Sequence, residues 1–149
     1  MITLRRAVAL DVPWLLTQCR AFAEFFGSRH SLMPDDITAT EKLTQLMDED
    51  VGCFYVAENG QRLGFIAGVL SPHYFNPDLL QLTELLWWVS PEHRGSSAGA
   101  RLLDAFDAYG QVHAKWIVFS LEHQSPVNPK SLERRGYLLH ERSYLKECA

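Results

Sequence analysis

WWVSPEHRGSSAGARLLDAF, Trp87 to Phe106, carries the end of an apolar strand, a loop of small residues and the start of an amphipathic helix. The first N–H groups of a helix have no intrahelical acceptor and lie at the positive end of the macrodipole, so they can bind a phosphate or pyrophosphate. Gly95, Ser96, Ser97, Ala98, Gly99 and Ala100 are all small and leave room for such a group. Arg94 before them adds a fixed charge whose planar fork matches phosphate oxygens. The plainer reading is a helix start capped by Ser96 or Ser97, with glycines that only ease packing. Neither GxxxxGK[ST] nor GxGxxG is present, so the loop implies a phosphate-bearing cofactor other than a nucleoside triphosphate or a dinucleotide.

Immediately upstream, Leu80 to Val89 (LQLTELLWWV) reads as a central strand buried on both faces and ended by Ser90-Pro91. Downstream, Leu102, Leu103, Phe106 and Tyr109 or Gly110 share one face of a helix beginning near Ala98, and Trp116 to Ser120 is the next strand. A helix joining two such strands predicts a βαβ unit with a right-handed crossover. Toward the N-terminus, FYVAE and LGFIAGVL flank Asn59-Gly60 and predict a hairpin closed by a two-residue type I′ turn. Leu43, Leu46 and Met47 mark a short helix before it. Further back, Asp11 as N-cap and Pro13 in the first turn start a helix through Trp14, Leu15, Cys19, Phe22 and Phe26, preceded by a strand from Ile2 to Arg6. At the other end, a helix from Pro129 to Arg135, capped by Asn128 and stopped by Gly136, leads into a last strand, Tyr137 to Lys146.

The 149 residues are 47% hydrophobic and 21% charged, which predicts one globular domain over residues 1–149. No stretch has the order of a secretory signal or the length of a membrane span, so a cytoplasmic protein is expected. Cys19, Cys53 and Cys148 cannot all pair and have no redox or zinc spacing, and the histidines show no ligand spacing; free thiols and no metal are expected. A net charge of -4 without a basic run speaks against nucleic acid as a partner. Asp35, Asp36, Glu41, Asp48, Glu49 and Asp50 surround the single base Lys42. That segment either attracts a cationic acceptor or is a helix with solvated acidic ends.

Val89, Pro91, Arg94, Gly95, Gly99, Leu102 and Leu103 stand in register with V-x-P-x-x-R-G-x-G-x-G/A followed by a helix. On that motif, and on the order of elements along essentially the whole chain, the sequence resembles the GNAT acetyltransferase superfamily. The resemblance implies an α/β (α+β) fold with a mixed central sheet of about six or seven strands, helices on both faces and a splayed central strand pair. It implies acetyl-CoA as cosubstrate, with the pantetheine arm bonded to backbone at Trp87, Trp88 and Val89 and the pyrophosphate on Arg94 to Ala100. Ser97 replaces the family's middle glycine. Serine keeps the N–H and is costly only if the position needs positive φ or leaves no room. Asn128 falls near a cofactor-contacting asparagine of the family, although its spacing to Gly136 is short and a simple helix cap explains it equally well.

Acetyl transfer needs a neutral amine, and a lysine-type ammonium has a pKa of ~10.4, so a base is required. Glu84 is the only acid in an otherwise apolar strand, where burial raises its pKa; the alternative is a glutamate with a structural partner. Glu84 and Val89 are five apart and face opposite sides of a regular strand, unless a bulge realigns them. Where relatives carry a tyrosine as general acid, four residues before the glycine, this chain has Leu132. For the acceptor pocket the resemblance points to Phe26, His30, His73 and Tyr74 as candidates, each with packing or plain surface exposure as its alternative. Cys53 has no activating histidine nearby and reads as an inert strand cysteine. The function expected is direct transfer from acetyl-CoA to a primary amine of a small molecule or protein, with no membrane partner; a homodimer is compatible with it. The rival readings are an idle CoA-binding regulatory module and a cofactor-free interaction domain in which Trp87 and Trp88 only pack.

Overall fold

Along Gly52–Glu58 the side chains alternate between two cores, Phe54 and Val56 on one side, Cys53 and Ala57 on the other. That alternation organises the computed structural model, which describes residues 1–26 and 33–148. The strands are β1 (Thr3–Arg6), β2 (Gly52–Glu58), β3 (Arg62–Pro72), β4 (Leu80–Val89) and β5 (Trp116–Val118). The helices are α1 (Val12–Phe25), α2 (Asp36–Leu46), α3 (Ala98–His113) and the single turn α4 (Lys130–Glu133). One sheet in the order β1-β2-β3-β4-β5 is antiparallel except for the parallel β4–β5 pair, which α3 connects. Leu15 and Cys19 of α1 and Leu43 of α2 cover one face with Phe54, Phe65 and Trp88. Leu102, Leu103 and Phe106 of α3 and Leu132 of α4 cover the other with Ile66 and Leu82. The expected mixed sheet with helices on both faces is therefore present.

Four expectations need correction. The sheet has five strands among the described residues, not six or seven, because the segment after Tyr137 joins no ladder. Its adjacent Leu138 and Leu139 and the polar run His140 to Ser143 lack the alternation that would commit one face to burial, and both leucines are exposed. The hairpin loop has three residues, not two: Glu58 pairs with Arg62, and the Asn59 N–H donates to the Gln61 carbonyl. A type I′ turn needs positive φ at both central residues, and only Gly60 has it, at 71°. A register shift beside Glu58 accompanies the longer loop and keeps Leu63 in the core. The last helix is limited to Lys130–Glu133, before a turn that ends at Gly136.

Finally, Asp11 does not cap α1. Its carboxylate is fully buried and takes Arg5 through both oxygens at 2.8 Å, Arg62 Nε at 2.7 Å and the Val8 N–H at 2.9 Å. Burial alone would raise its pKa, but the two guanidinium groups and the N–H outweigh it and hold the carboxyl well below the usual range. This ion cluster ties β1 and β3 to the start of α1. Replacing one partner leaves buried charge uncompensated, so Asp11→Ala should lose roughly 3–5 kcal/mol in urea denaturation. Because the folded-state pKa is depressed, the contribution is present above the ordinary carboxylate pKa and is lost as pH falls below it.

Candidate active site

The β4–β5 ladder has only three pairs, Gln81 with Trp116, Leu82 with Ile117 and Thr83 with Val118. Past Thr83, β4 continues to Val89 beside β3 alone, so the two central strands part at mid-length, as expected. Trp87 and Phe119 meet across the opening with ring centroids 5.3 Å apart and planes at 80°.

A bulge in β4 settles the register of the candidate base. Ala67 pairs with Leu86 and Gly68 with Glu84, which leaves Leu85 unpaired and exposed. Glu84 therefore lies opposite Gly68 and Val89 opposite Gly64, an even separation on β3, and Glu84, Trp87 and Val89 share the face that α3 covers. Burial pushes the Glu84 carboxyl up to about 7, against a backbone hydrogen bond from Ser120 that favours the charged form. A carboxyl poised near neutrality on the wall of an opening can accept a proton there.

At the end of β4 the chain makes one turn of tight helix, Pro91–His93, and enters α3 through Arg94 to Ser97. Gly95 has φ of +92°, which turns the loop. Ser97 has φ of -79° and an exposed side chain, so neither condition that would exclude serine applies. Ser96 Oγ donates to the His93 carbonyl and accepts a 3.3 Å contact from the Ala98 N–H. The N–H groups of Gly95, Ser97, Gly99 and Ala100 have no acceptor among the described residues. They form the kind of donor set that a pyrophosphate requires.

Arg94 is turned the other way. Its Nε donates to the Val89 carbonyl at 3.1 Å, and the guanidinium lies over the Trp88 and Phe25 rings, 4.4 and 4.9 Å from their centroids. Trp88 faces α1 and is buried there, with its N–H donated to Gln18 Oε1, the atom that also accepts from Ser90 Oγ. Sequence reasoning missed Gln18. The signal was a polar residue in the i, i+4 row Trp14–Gln18–Phe22–Phe26 of an otherwise apolar helix face.

The other candidates are scattered. Asn128 is exposed, and its Oδ1 accepts from the Lys130 N–H, the cap geometry. Leu132 is buried in the α3-side core. Tyr137 donates its hydroxyl to Asp107 on α3, and burial with that carboxylate raises its pKa. Phe26 packs on Trp88 at the Val89 end of β4, whereas His73 and Tyr74 stack together beside Trp116, the partner of Gln81. These groups are roughly 20 Å apart along the strand and do not form one pocket. His30 lies outside the described residues. The acidic segment is partly used locally: Asp35 caps α2 through the Thr38 N–H, Asp36 pairs with Arg20, and Glu49 lies 3.8 Å from Arg6. Burial pushes the Cys53 thiol up to about 11, which fits an inert cysteine. Among the described residues no cluster of His, Cys, Asp or Glu could hold a metal ion, and no helix is long and apolar enough to cross a membrane.

Two parallel strands that part beside a donor-lined helix start have the form of the acetyltransferase class that the motif implied. Residues 16–133 match the model of the Acetyltransferase (GNAT) family, and the chain belongs to that family. Solved structures agree in fold. A transcriptional regulator from Bacillus halodurans C-125 superimposes with a TM-score of 0.79 at 14% identity, over 99% of this chain and 100% of that one. A predicted acetyltransferase with acetyl-CoA from Clostridium acetobutylicum gives 0.76 at 15% identity, over 99% and 96% of the two chains. A ribosomal-protein-alanine N-acetyltransferase from Brucella melitensis biovar Abortus 2308 gives 0.75 at 15% identity, over 99% of both. A search of curated protein sequences finds no match.

The two small loop residues should respond differently to substitution. No atom lies within 4 Å of a Cβ built on Gly95, yet its φ of +92° should make Gly95→Ala cost about 1 kcal/mol in thermal unfolding. Ser97→Gly, at ordinary φ, should stay within about 0.5 kcal/mol.

Proposed function

We propose that this chain transfers an acetyl group from acetyl-CoA to a primary amine by direct reaction in a ternary complex, as one domain over residues 1–149 in the cytoplasm. The observation that carries the reading is the opening beyond Thr83, with a glutamate of raised pKa on its wall and four unpartnered N–H groups at the start of α3. Those residues fit the cosubstrate. The N–H groups of Gly95, Ser97, Gly99 and Ala100 would hold the pyrophosphate, with Ser96 and Ala98 shaping the loop. The backbone of Trp87, Trp88 and Val89 would hold the pantetheine arm, and the free amide nitrogen of Asn128 is a further donor. Acetyl-CoA supplies an activated thioester carbonyl.

In this reading Glu84 takes a proton from the acceptor ammonium, directly or through a water. The neutral amine attacks the carbonyl carbon while N–H groups near Val89 stabilise the charge developing on its oxygen. The C–N bond forms, the nitrogen gives its second proton to solvent, the C–S bond breaks, and CoA departs as a thiolate. Leu132 has no proton to give, and Tyr137 directs its hydroxyl to Asp107, so the thiolate is protonated from solvent. The acceptor is an amine of a small molecule or protein. The buried Leu132 also favours a second reading, a domain that holds acetyl-CoA without turnover.

Calorimetric titration should show micromolar acetyl-CoA binding to the wild-type protein and its loss in Arg94→Glu, which brings a negative charge to the loop; absence of binding to the wild type overturns the proposal. With a panel of primary amines and detection of released thiol, the rate should rise with pH through about 7, the Glu84 value. Glu84→Gln should lower it roughly 100- to 10,000-fold and remove that limb. Binding without turnover on any amine leaves the second reading. Stability gives an independent check. The folded pKa of Glu84 is raised above the ordinary 4.5, so its stabilising contribution is complete below 4.5 and lost as pH rises through about 7. The melting temperature of Glu84→Gln relative to wild type should therefore be higher at pH 8 than at pH 5.

A further inference from the structure

Trp87 and Trp88 are consecutive on β4 and differ in one respect that packing does not explain. The Trp88 N–H is donated to Gln18, whereas Trp87 Nε1 is buried with no hydrogen-bond partner, the one such side-chain nitrogen or oxygen among the described residues. An indole donor shut away from water without an acceptor costs free energy comparable to a lost hydrogen bond, and a native site that keeps one calls for an explanation.

The position of the ring supplies one. Trp87 lies opposite Ile66 on the α3 face, in the part of β4 that β5 has left, and packs edge-on against Phe119 across the opening. Its Cζ2 atom is 3.7 Å from the point a Cβ on Gly99 would occupy. Cζ2 and Nε1 are both bonded to Cε2, so the donor-bearing edge of the indole is turned toward the first turn of α3. Trp87 shares its face of β4 with Glu84, and its donor-bearing edge lies toward the helix start that carries the unpartnered backbone donors.

We propose that the Trp87 side chain donates its N–H to an amide carbonyl oxygen of the pantetheine arm, and so positions the arm in the opening. The inference rests on the acetyl-CoA reading and extends it from the backbone of β4 to a side chain. A carbonyl of the arm is matched to a single neutral donor in an apolar wall, whereas the doubly charged pyrophosphate is matched to the clustered backbone N–H groups of α3. In this assignment Trp87 is a positioning residue. Gln18 prevents Trp88 from taking the same part, because its donor is already occupied on the α1 side.

The test follows the indole N–H directly. In wild-type protein labelled with nitrogen-15, the indole resonance that disappears in Trp87→Phe is assigned to Trp87. It should move downfield on addition of acetyl-CoA or CoA, and stay in place with adenosine 3′-phosphate 5′-diphosphate, which has the pyrophosphate and lacks the arm. In calorimetry, Trp87→Phe should weaken acetyl-CoA and CoA roughly 3- to 10-fold and leave the fragment unchanged. If the wild type binds acetyl-CoA while the Trp87 resonance does not move, or the variant binds both arm-bearing ligands as tightly as wild type, the inference is wrong and the cofactor reading stands. Equal weakening of the fragment also overturns it, because the effect would then come from a disturbed loop. If the wild type binds none of the three ligands, the cofactor reading itself has failed.

Discussion

The parallel ladder between β4 and β5 ends at Thr83 and Val118, while β4 runs on for six residues to Val89. A strand released on one side exposes a row of backbone donors and acceptors inside the molecule, which is costly unless something else meets them. The separation is maintained from both sides. Trp87 and Phe119 stand edge to face between the two chains, and Phe106 of α3 and Tyr137 pack against Phe119 in turn. Beyond Thr83 the two chains are therefore joined by ring contacts and not by ladder hydrogen bonds.

Given that opening, the bulge at Leu85 determines what faces it. Without the extra residue, Glu84 would point to the α1 side, the face of the core of Phe54, Phe65 and Trp88. With it, the residues on either side of Leu85 regain the alternation in which Glu84, Trp87 and Val89 face α3 while Leu86 and Trp88 face α1. The two faces of the same ten-residue strand then divide the work. On the α1 face, Gln18 gathers the Trp88 N–H and the Ser90 hydroxyl at one oxygen, and Arg94 lies on Trp88 and Phe25. These contacts fix the end of β4 and therefore the point from which the loop enters α3. On the α3 face lie the groups assigned to chemistry.

Much of this arrangement was legible because it is written in local patterns. The small-residue loop after Arg94, the apolar run Leu80 to Val89 and the one-sided leucines of α3 each follow from spacing over a few residues. The parts that were not legible depend on groups distant in sequence. Asp11 before Pro13 looks like a cap, and only the approach of Arg5 and of Arg62 from the β3 end of the hairpin makes it a buried anion instead. The two-residue turn expected at Asn59-Gly60 gave way to three residues for a related reason, since the loop must deliver Arg62 to that carboxylate and Leu63 to the core. The segment after Tyr137, expected as a strand, has no alternation of polar and apolar positions to commit one face to burial, and Leu138 and Leu139 are exposed. The direction of Glu84 could be stated only as a condition, because a bulge leaves no mark in the residues it displaces.

Arg94 shows why a matched motif residue and its role must be argued separately. Its position in the signature suggests a direct charge contact with phosphate. Yet its Nε is held by the Val89 carbonyl and its guanidinium by two aromatic faces, an arrangement that favours the charge without neutralising it. A cation kept there contributes a positive potential to the loop at short range while the backbone N–H groups remain free for direct bonds. Ser97, where the family has glycine, has an ordinary φ, an exposed side chain and an N–H without an acceptor among the described residues.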